Sequence, residues 1–289
     1  MRELERWGVS VGVLGGRSNA GGLPRGGLWL CAIGSLLCAV ALLAPAAADA
    51  RDLVVYGEPA LEKALKSVGS LWQARTGTRV NVFVAPADLS YAQIDRGARC
   101  DVIFALAGSA TDEAARAKII QSATISHALR NGLVLVGTEP GAGSVTDAGL
   151  ADISRQIAGK RLAIPNPDRD PAGARAVELL RKIGIAVDEG NRAIAVAESS
   201  AGVVNLLATN KAGLGIVYST DATAGFKLAV ALPALDEPPI EYVVAQARDP
   251  QSDIKPFMTF LKSAEAKAAF KSAGLAPIDG GHAAGGDGD

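Results

Sequence analysis

From Asp52 onward the chain alternates short β-branched runs with amphipathic stretches of helical period, and this alternation restricts the fold more than any other feature. Strand-sized runs separated by helix-sized ones pair in parallel, with the helices covering the faces of the sheet. Asp52 to Tyr56 (DLVVY) predicts a first strand. Glu58 to Arg75 predicts a helix with Leu61, Leu65, Val68, Leu71 and Trp72 on one face, closed by Gly77. Val80 to Val84, a short helix from Leu89 to Arg96, and Asp101 to Ala105 complete a βαβαβ unit. Ligands bind at the carboxyl ends of such strands. The loops Gly57 to Ala60 and Ala85 to Asp88 are therefore the first candidates for a site.

After the apolar run Asn131 to Gly137 and a turn-rich stretch, the pattern repeats. Strands are expected at Arg161 to Pro165, Ala193 to Ala197 and Gly215 to Tyr218, with helices at Pro171 to Ile183 and Ser200 to Asn210. Further strands are expected at Lys227 to Ala231 and Glu241 to Ala247, then a last helix from Ser252 to Ser272. The expectation is an α/β chain of two lobes with a ligand cleft between them. Residues 51–132 plus 225–279 would form lobe 1 and residues 133–224 lobe 2, hinged near Gly132 to Gly137 and Tyr218 to Ala224. The tail 280–289 (GGHAAGGDGD) has little to bury and is expected to be disordered.

Residues 1–50 read as a secretory signal peptide. Leu28 to Leu43 carries no charge, follows Arg2, Arg6, Arg17 and Arg25, and leads into APAAADA, ending at Ala50. A membrane-spanning helix would need ~20 apolar residues, and Pro45 and alanines follow here instead. Neither Cys31 nor Cys38 has the small preceding residue of a lipidation site. The expectation is a soluble protein exported to the periplasm.

The leader holds four of the 29 basic residues and three of the 30 acidic ones, leaving 25 and 27, a net charge of −2. That balance argues against a nucleic-acid binder, which would show a basic excess. Cys100 is then the one remaining cysteine, expected to be a small buried apolar residue. No Gly-x-Ser-x-Gly elbow, phosphate-cradling loop followed by Lys, or metal-ligand spacing occurs. The chain is therefore read as not an enzyme, with no cofactor and no metal.

Three segments carry a resemblance. Tyr56-Gly57-Glu58-Pro59-Ala60-Leu61, GKRLAIPNPDRDPAG from Gly159 to Gly173, and AGLGIVYSTDA from Ala212 to Ala222 resemble the periplasmic molybdate-binding proteins of ABC transporters, across residues 52–278 in the same order. The resemblance implies the type II periplasmic binding protein fold, closing on a tetrahedral oxyanion that is handed to a membrane permease. It implies backbone amides at Ala172 and Ser200, each at a helix start, and the phenol of Tyr218 as anion donors. Helix starts bind anions without needing a cation. It also implies a small anionic or polar ligand and an ABC permease as partners, and a monomer.

The first lobe departs from the family. Two serine hydroxyls complete the family's oxyanion shell, whereas Ala60 and the Ala85-Pro86-Ala87 turn supply none. Charge-assisted hydrogen bonds are worth ~1.5–3 kcal/mol each, so two missing ones cost ~3–6 kcal/mol, or roughly 10²–10⁴ in affinity. Either Asp88, Ser90, Tyr91, Asn166 and Ser199 compensate, or the ligand differs from molybdate. Pro86 removes a backbone donor, and the carboxylate of Glu58 would repel a dianion. The ligand-binding set is thus Glu58, Ala60, Pro86, Ala87, Ala172, Ser200 and Tyr218. The alternative is an exported accessory protein that uses this scaffold to bind a partner protein.

The other conspicuous residues have plainer readings. Arg169 is expected in a solvated ion pair, Trp72 and Phe83 in packing, and His127 on a helix surface, too far in sequence from His282 for a metal motif. Asp168 and Asp170 carry no weight as a pair, and Gly141-Ala142-Gly143-Ser144 is expected as a surface turn.

Overall fold

The computed structural model describes residues 51–139, 149–188, 190–222, 225–233, 239–250 and 253–282. Gly141 to Ser144, the leader and residues 283–289 lie outside them. The first βαβαβ unit forms as expected: β1 (Leu53–Gly57), a 3₁₀ turn at Pro59–Leu61, α1 (Glu62–Thr76), β2 (Val80–Val84), α2 (Ala87–Asp95) and β3 (Val102–Leu106). Gly77 ends α1 with φ 78°, its N–H donating to the Gln73 carbonyl, the left-handed cap that glycine adopts without a Cβ penalty. There follow α3 (Ser109–Arg116), β4 (Ser126–Asn131), β5 (Leu133–Gly137), α4 (Leu150–Ile157), β6 (Leu162–Pro165), α5 (Pro171–Lys182), β7 (Ile194–Ala197), α6 (Ser200–Ala208) and β8 (Leu214–Tyr218). Last come β9 (Leu228–Ala231), β10 (Ile240–Gln246), α7 (Lys255–Leu261), α8 (Ala264–Ser272) and β11 (Leu275–His282).

Two sheets result. One has the order β11-β4-β10-β3-β1-β2, the other β7-β6-β8-β5-β9. Each contains the same block: β1 lies in parallel between β2 and β3, and β6 in parallel between β7 and β8. Such parallel triplets arise because each crossover helix must return the chain to the same sheet. Antiparallel strands complete both sheets, β10 beside β3 and β5 beside β8.

Alternation along β1 divides the first lobe's core. Leu53 and Val55 face α1 and the C-terminal helices, with Trp72 packed against Phe257 and Phe260 at centroid distances of 5.4 and 5.3 Å. Val54 and Tyr56 face α2 and α3, where Cys100 is also buried as expected. In the second lobe Ile164 and Ile216 meet Ile153, Leu179 and Leu180 on one face, and Ala163 and Val217 meet Val203 and Leu207 on the other.

Several expectations need correction. β9 pairs with β5, so residues 225–231 belong with the second sheet rather than with lobe 1. The chain accordingly crosses between sheets at Gly132 and again between Ala231 and Ile240, not near Tyr218 to Ala224. Residues 280–282 continue β11 against β4 instead of starting a disordered tail. The last helix is two, because the Ser263 hydroxyl accepts the Ala266 N–H and begins α8 afresh. His127 sits on β4, opposite β10, with Nδ1 2.7 Å from Glu241 Oε2, so the helix-surface reading fails. Phe83 is 51% exposed and stacks on Tyr56 near the outer edge of the first sheet rather than entering the core.

Candidate functional site: two carboxylates in two amide cradles

The site in the second lobe is built by the ends of three parallel-unit elements. α5 begins with Pro171 at its first turn, where a missing N–H costs nothing, and Asp170 as N-cap. Gly173 lets this helix start close under β6. A Cβ there would come within 2.4 Å of the Pro165 carbonyl oxygen and 2.7 Å of Asn166. α6 begins at Ser200, with Ser199 Oγ accepting the Gly202 N–H at 3.2 Å. Tyr218 ends β8, and its own N–H donates to Ser200 Oγ at 3.1 Å, tying strand end to helix start.

The three donors expected from sequence do converge, and they converge on Asp170. Its Oδ1 accepts the Ala172 N–H at 3.0 Å and the Tyr218 hydroxyl at 2.8 Å. Its Oδ2 accepts the Ser200 N–H at 3.0 Å. Ala172, Ser200 and Tyr218 are all buried. The phenol is raised far above its ordinary range, first by burial and then by the neighbouring Tyr242 and Asp170. Two helix-start amides and a phenol from separate elements thus make an anion cradle, and a carboxylate of the same chain fills it.

The first lobe repeats the arrangement. Glu58 leaves β1, and its Oε1 accepts the N–H of Ala87, the first residue of α2, at 3.1 Å and of Leu106 at 3.4 Å. The Ala87 amide is therefore a donor to a carboxylate. Burial pushes Glu58 up to about 7, against the opposing pull of those two amides, with Asp88 and Asp170 adding repulsion. Ala60 packs partly buried against the first lobe's core, and Pro86 is the exposed N-cap of α2. Neither brings a hydroxyl.

Of the candidates for compensating donors, Ser90 and Tyr91 spend their hydroxyls locally, while Asn166 and Ser199 serve as acceptors. Ser90 Oγ donates to the Ala85 carbonyl at 3.3 Å, and Tyr91 pairs with Thr111 at 3.0 Å. Asn166 Oδ1 accepts the Asp168 N–H at 2.9 Å, and Ser199 caps α6. Arg169 meets Glu198 at 3.3 Å, both well exposed, as a surface pair should be.

The lobes meet around this site. Ala172 and Tyr218 of the second lobe lie in one buried cluster with Leu61, Leu65 and Tyr242 of the first. Gly274, at φ 88°, passes so close to the second lobe that a Cβ would stand 2.6 Å from the Ser219 carbonyl oxygen. Asn131 joins the lobes through Nδ2, which donates to Thr220 at 3.2 Å and to the Tyr242 hydroxyl at 3.4 Å. Asp221 sits nearby, its carboxyl raised by burial first. Sequence reasoning missed Asp170, Leu106 and Asn131. Only Asp170 carried a signal, an Asp directly before Pro-Ala-Gly being a helix N-cap signature. Among the described residues no group of three or more His, Cys, Asp or Glu is placed to hold a metal ion.

Comparison with known proteins agrees with this architecture. The chain is 30% identical to the molybdate-binding protein ModA of Escherichia coli (strain K12) over 251 residues, covering 86% of this chain and 97% of that protein. It is 24% identical to ModA of Haemophilus influenzae over 224 residues, 76% of this chain and 88% of that protein. The solved periplasmic molybdate-binding protein of Azotobacter vinelandii superposes with a TM-score of 0.64 at 24% identity, covering 78% of this chain and 98% of that one. These relatives are binding proteins rather than enzymes. The family model of bacterial extracellular solute-binding proteins matches residues 53–276, and the chain belongs to that family.

Proposed function

We propose that this protein is the periplasmic solute-binding component of an ABC transporter, exported by the leader at residues 1–50, and that it captures a small oxyanion or other small polar solute between its lobes. It works as a monomer, without a cofactor and without catalysis, and delivers the solute to a membrane permease. Among the described residues no helix is long and apolar enough to cross a membrane, in keeping with a carrier that visits its permease. The observation that supports the reading is the convergence of the Ala172 and Ser200 amides and the Tyr218 hydroxyl on one carboxylate. Donors arranged this way hold negative charge by geometry, and the family relation supplies the transport role.

A thermal-shift panel of molybdate, tungstate, sulfate, phosphate and neutral polar solutes tests it, followed by calorimetry on the hits. A cognate solute at a hundred times its Kd stabilises the fold by about 2.7 kcal/mol, about 5–10 °C for a domain of this size. If the solute is an oxyanion, the Tyr218→Phe variant should lose most of that shift. A panel without a single saturable ligand, or an oxyanion ligand indifferent to Tyr218, would overturn the reading.

A further inference from the structure

We propose that Asp170 sets the specificity of the cleft: its carboxylate is a tethered occupant of the oxyanion seat, and a free oxyanion binds only by displacing it. The inference rests on the solute-binding reading above and names the residue that decides which solutes that site admits.

The geometry carries the argument. An oxyanion bound in the second lobe would need the Ala172 N–H, the Ser200 N–H and the Tyr218 hydroxyl, and all three already donate to Asp170 at 2.8 to 3.0 Å. A tethered group competes at an effective concentration on the order of millimolar, and this one is two residues from Ala172 along the chain. Displacing it strands a carboxylate beside the incoming anion, which adds like-charge repulsion to the lost bonds. The opposite wall acts in the same sense, because Glu58 Oε1 holds the Ala87 and Leu106 amides at 3.1 and 3.4 Å. With both side chains seated, the cleft's amides are taken up from within and Asp170 adds its carboxylate, so the cleft favours neutral or cationic polar solutes that bring their own hydrogen-bond donors.

The test is calorimetry on the purified protein with sodium molybdate, tungstate and sulfate as probes. Asp170→Ala frees the three donors, and oxyanion affinity should rise by roughly 10²-fold. Asp170→Asn keeps an oxygen to cap α5 and removes the charge, so it should show a smaller rise. It also reports on the same question if the alanine variant folds poorly. In the Asp170→Ala, Tyr218→Phe double variant the gain should be lost, which places the anion on the phenol's seat. Folded Asp170→Ala and Asp170→Asn variants that bind oxyanions no tighter than wild type would overturn the inference. If wild type nevertheless binds another panel solute, the transport reading survives that failure. The converse, a gain in the variants with no ligand for wild type, would uphold the specificity role and count against transport.

Discussion

Between pH 5 and pH 8 the protein should lose stability as Glu58 gives up its proton. In the folded state its pKa stands at about 7 against an ordinary 4.5, chiefly because burial disfavours the charged form. Over that interval the folded chain holds a proton that the unfolded chain has released. Stability therefore declines as pH rises, is undiminished below the unfolded value, and reaches its floor above the folded one. The difference between about 7 and 4.5 corresponds to about 3 kcal/mol at most. Glu58→Gln isolates the effect, since the amide oxygen can still accept from Ala87 and Leu106 while carrying no charge. Urea unfolding of both proteins at pH 5, 6, 7 and 8 should show near-equal stability at pH 5. By pH 8 the glutamine variant should lead by up to about 3 kcal/mol, the lead growing between pH 4.5 and about 7 and levelling off above that. A difference that stays flat across the series would refute the reasoning. A wild type that gains on the variant with rising pH would show that the two amides outweigh burial.

Other consequences follow from packing. Gly173→Ala places a Cβ 2.4 Å from the Pro165 carbonyl oxygen, so α5 must shift and carry the Ala172 N–H with it. Solute affinity should fall together with the melting temperature, by thermal shift with and without ligand. Trp72→Ala empties the slot between Phe257 and Phe260 and should cost ~3–5 kcal/mol in urea unfolding. Burial pushes the Cys100 thiol up to about 12, so Ellman's reagent at pH 8 should leave it untouched in the folded protein and label it at the rate of unfolding.

The sequence made the parallel blocks legible because their inner strands are buried on both faces and read as unbroken apolar runs, such as VVY in β1 and GIVY in β8. β4 escaped for the opposite reason. Its residues SHALRN look polar, and its place between β10 and β11 is fixed by pairing that periodicity does not encode. The same limit misassigned β9, whose four small apolar residues fit either sheet until the partner β5 is known. At the site, the positions of Ala172, Ser200 and Tyr218 could be read from helix starts and a strand end. Their common partner could not, because the bonds to Asp170 close loops of 30 and 48 residues.

Two independent features of the chain now point one way. Hydroxyls are missing from Ala60 and from the Ala85-Pro86-Ala87 turn, and carboxylates stand in the cradles of both walls. Either change alone would weaken oxyanion binding. Together they alter what the backbone amides do. In a cleft that holds a free anion, helix-start N–H groups are satisfied only when the ligand is present, so closure waits on the ligand. Here Asp170 and Glu58 satisfy them from within, so a free anion meets them only by displacing a side chain. The affinity of such a site for an oxyanion scales with the fraction of molecules in which the side chains leave the amides free. In the specificity role proposed for it, Asp170 therefore sets how often that seat is free for an oxyanion.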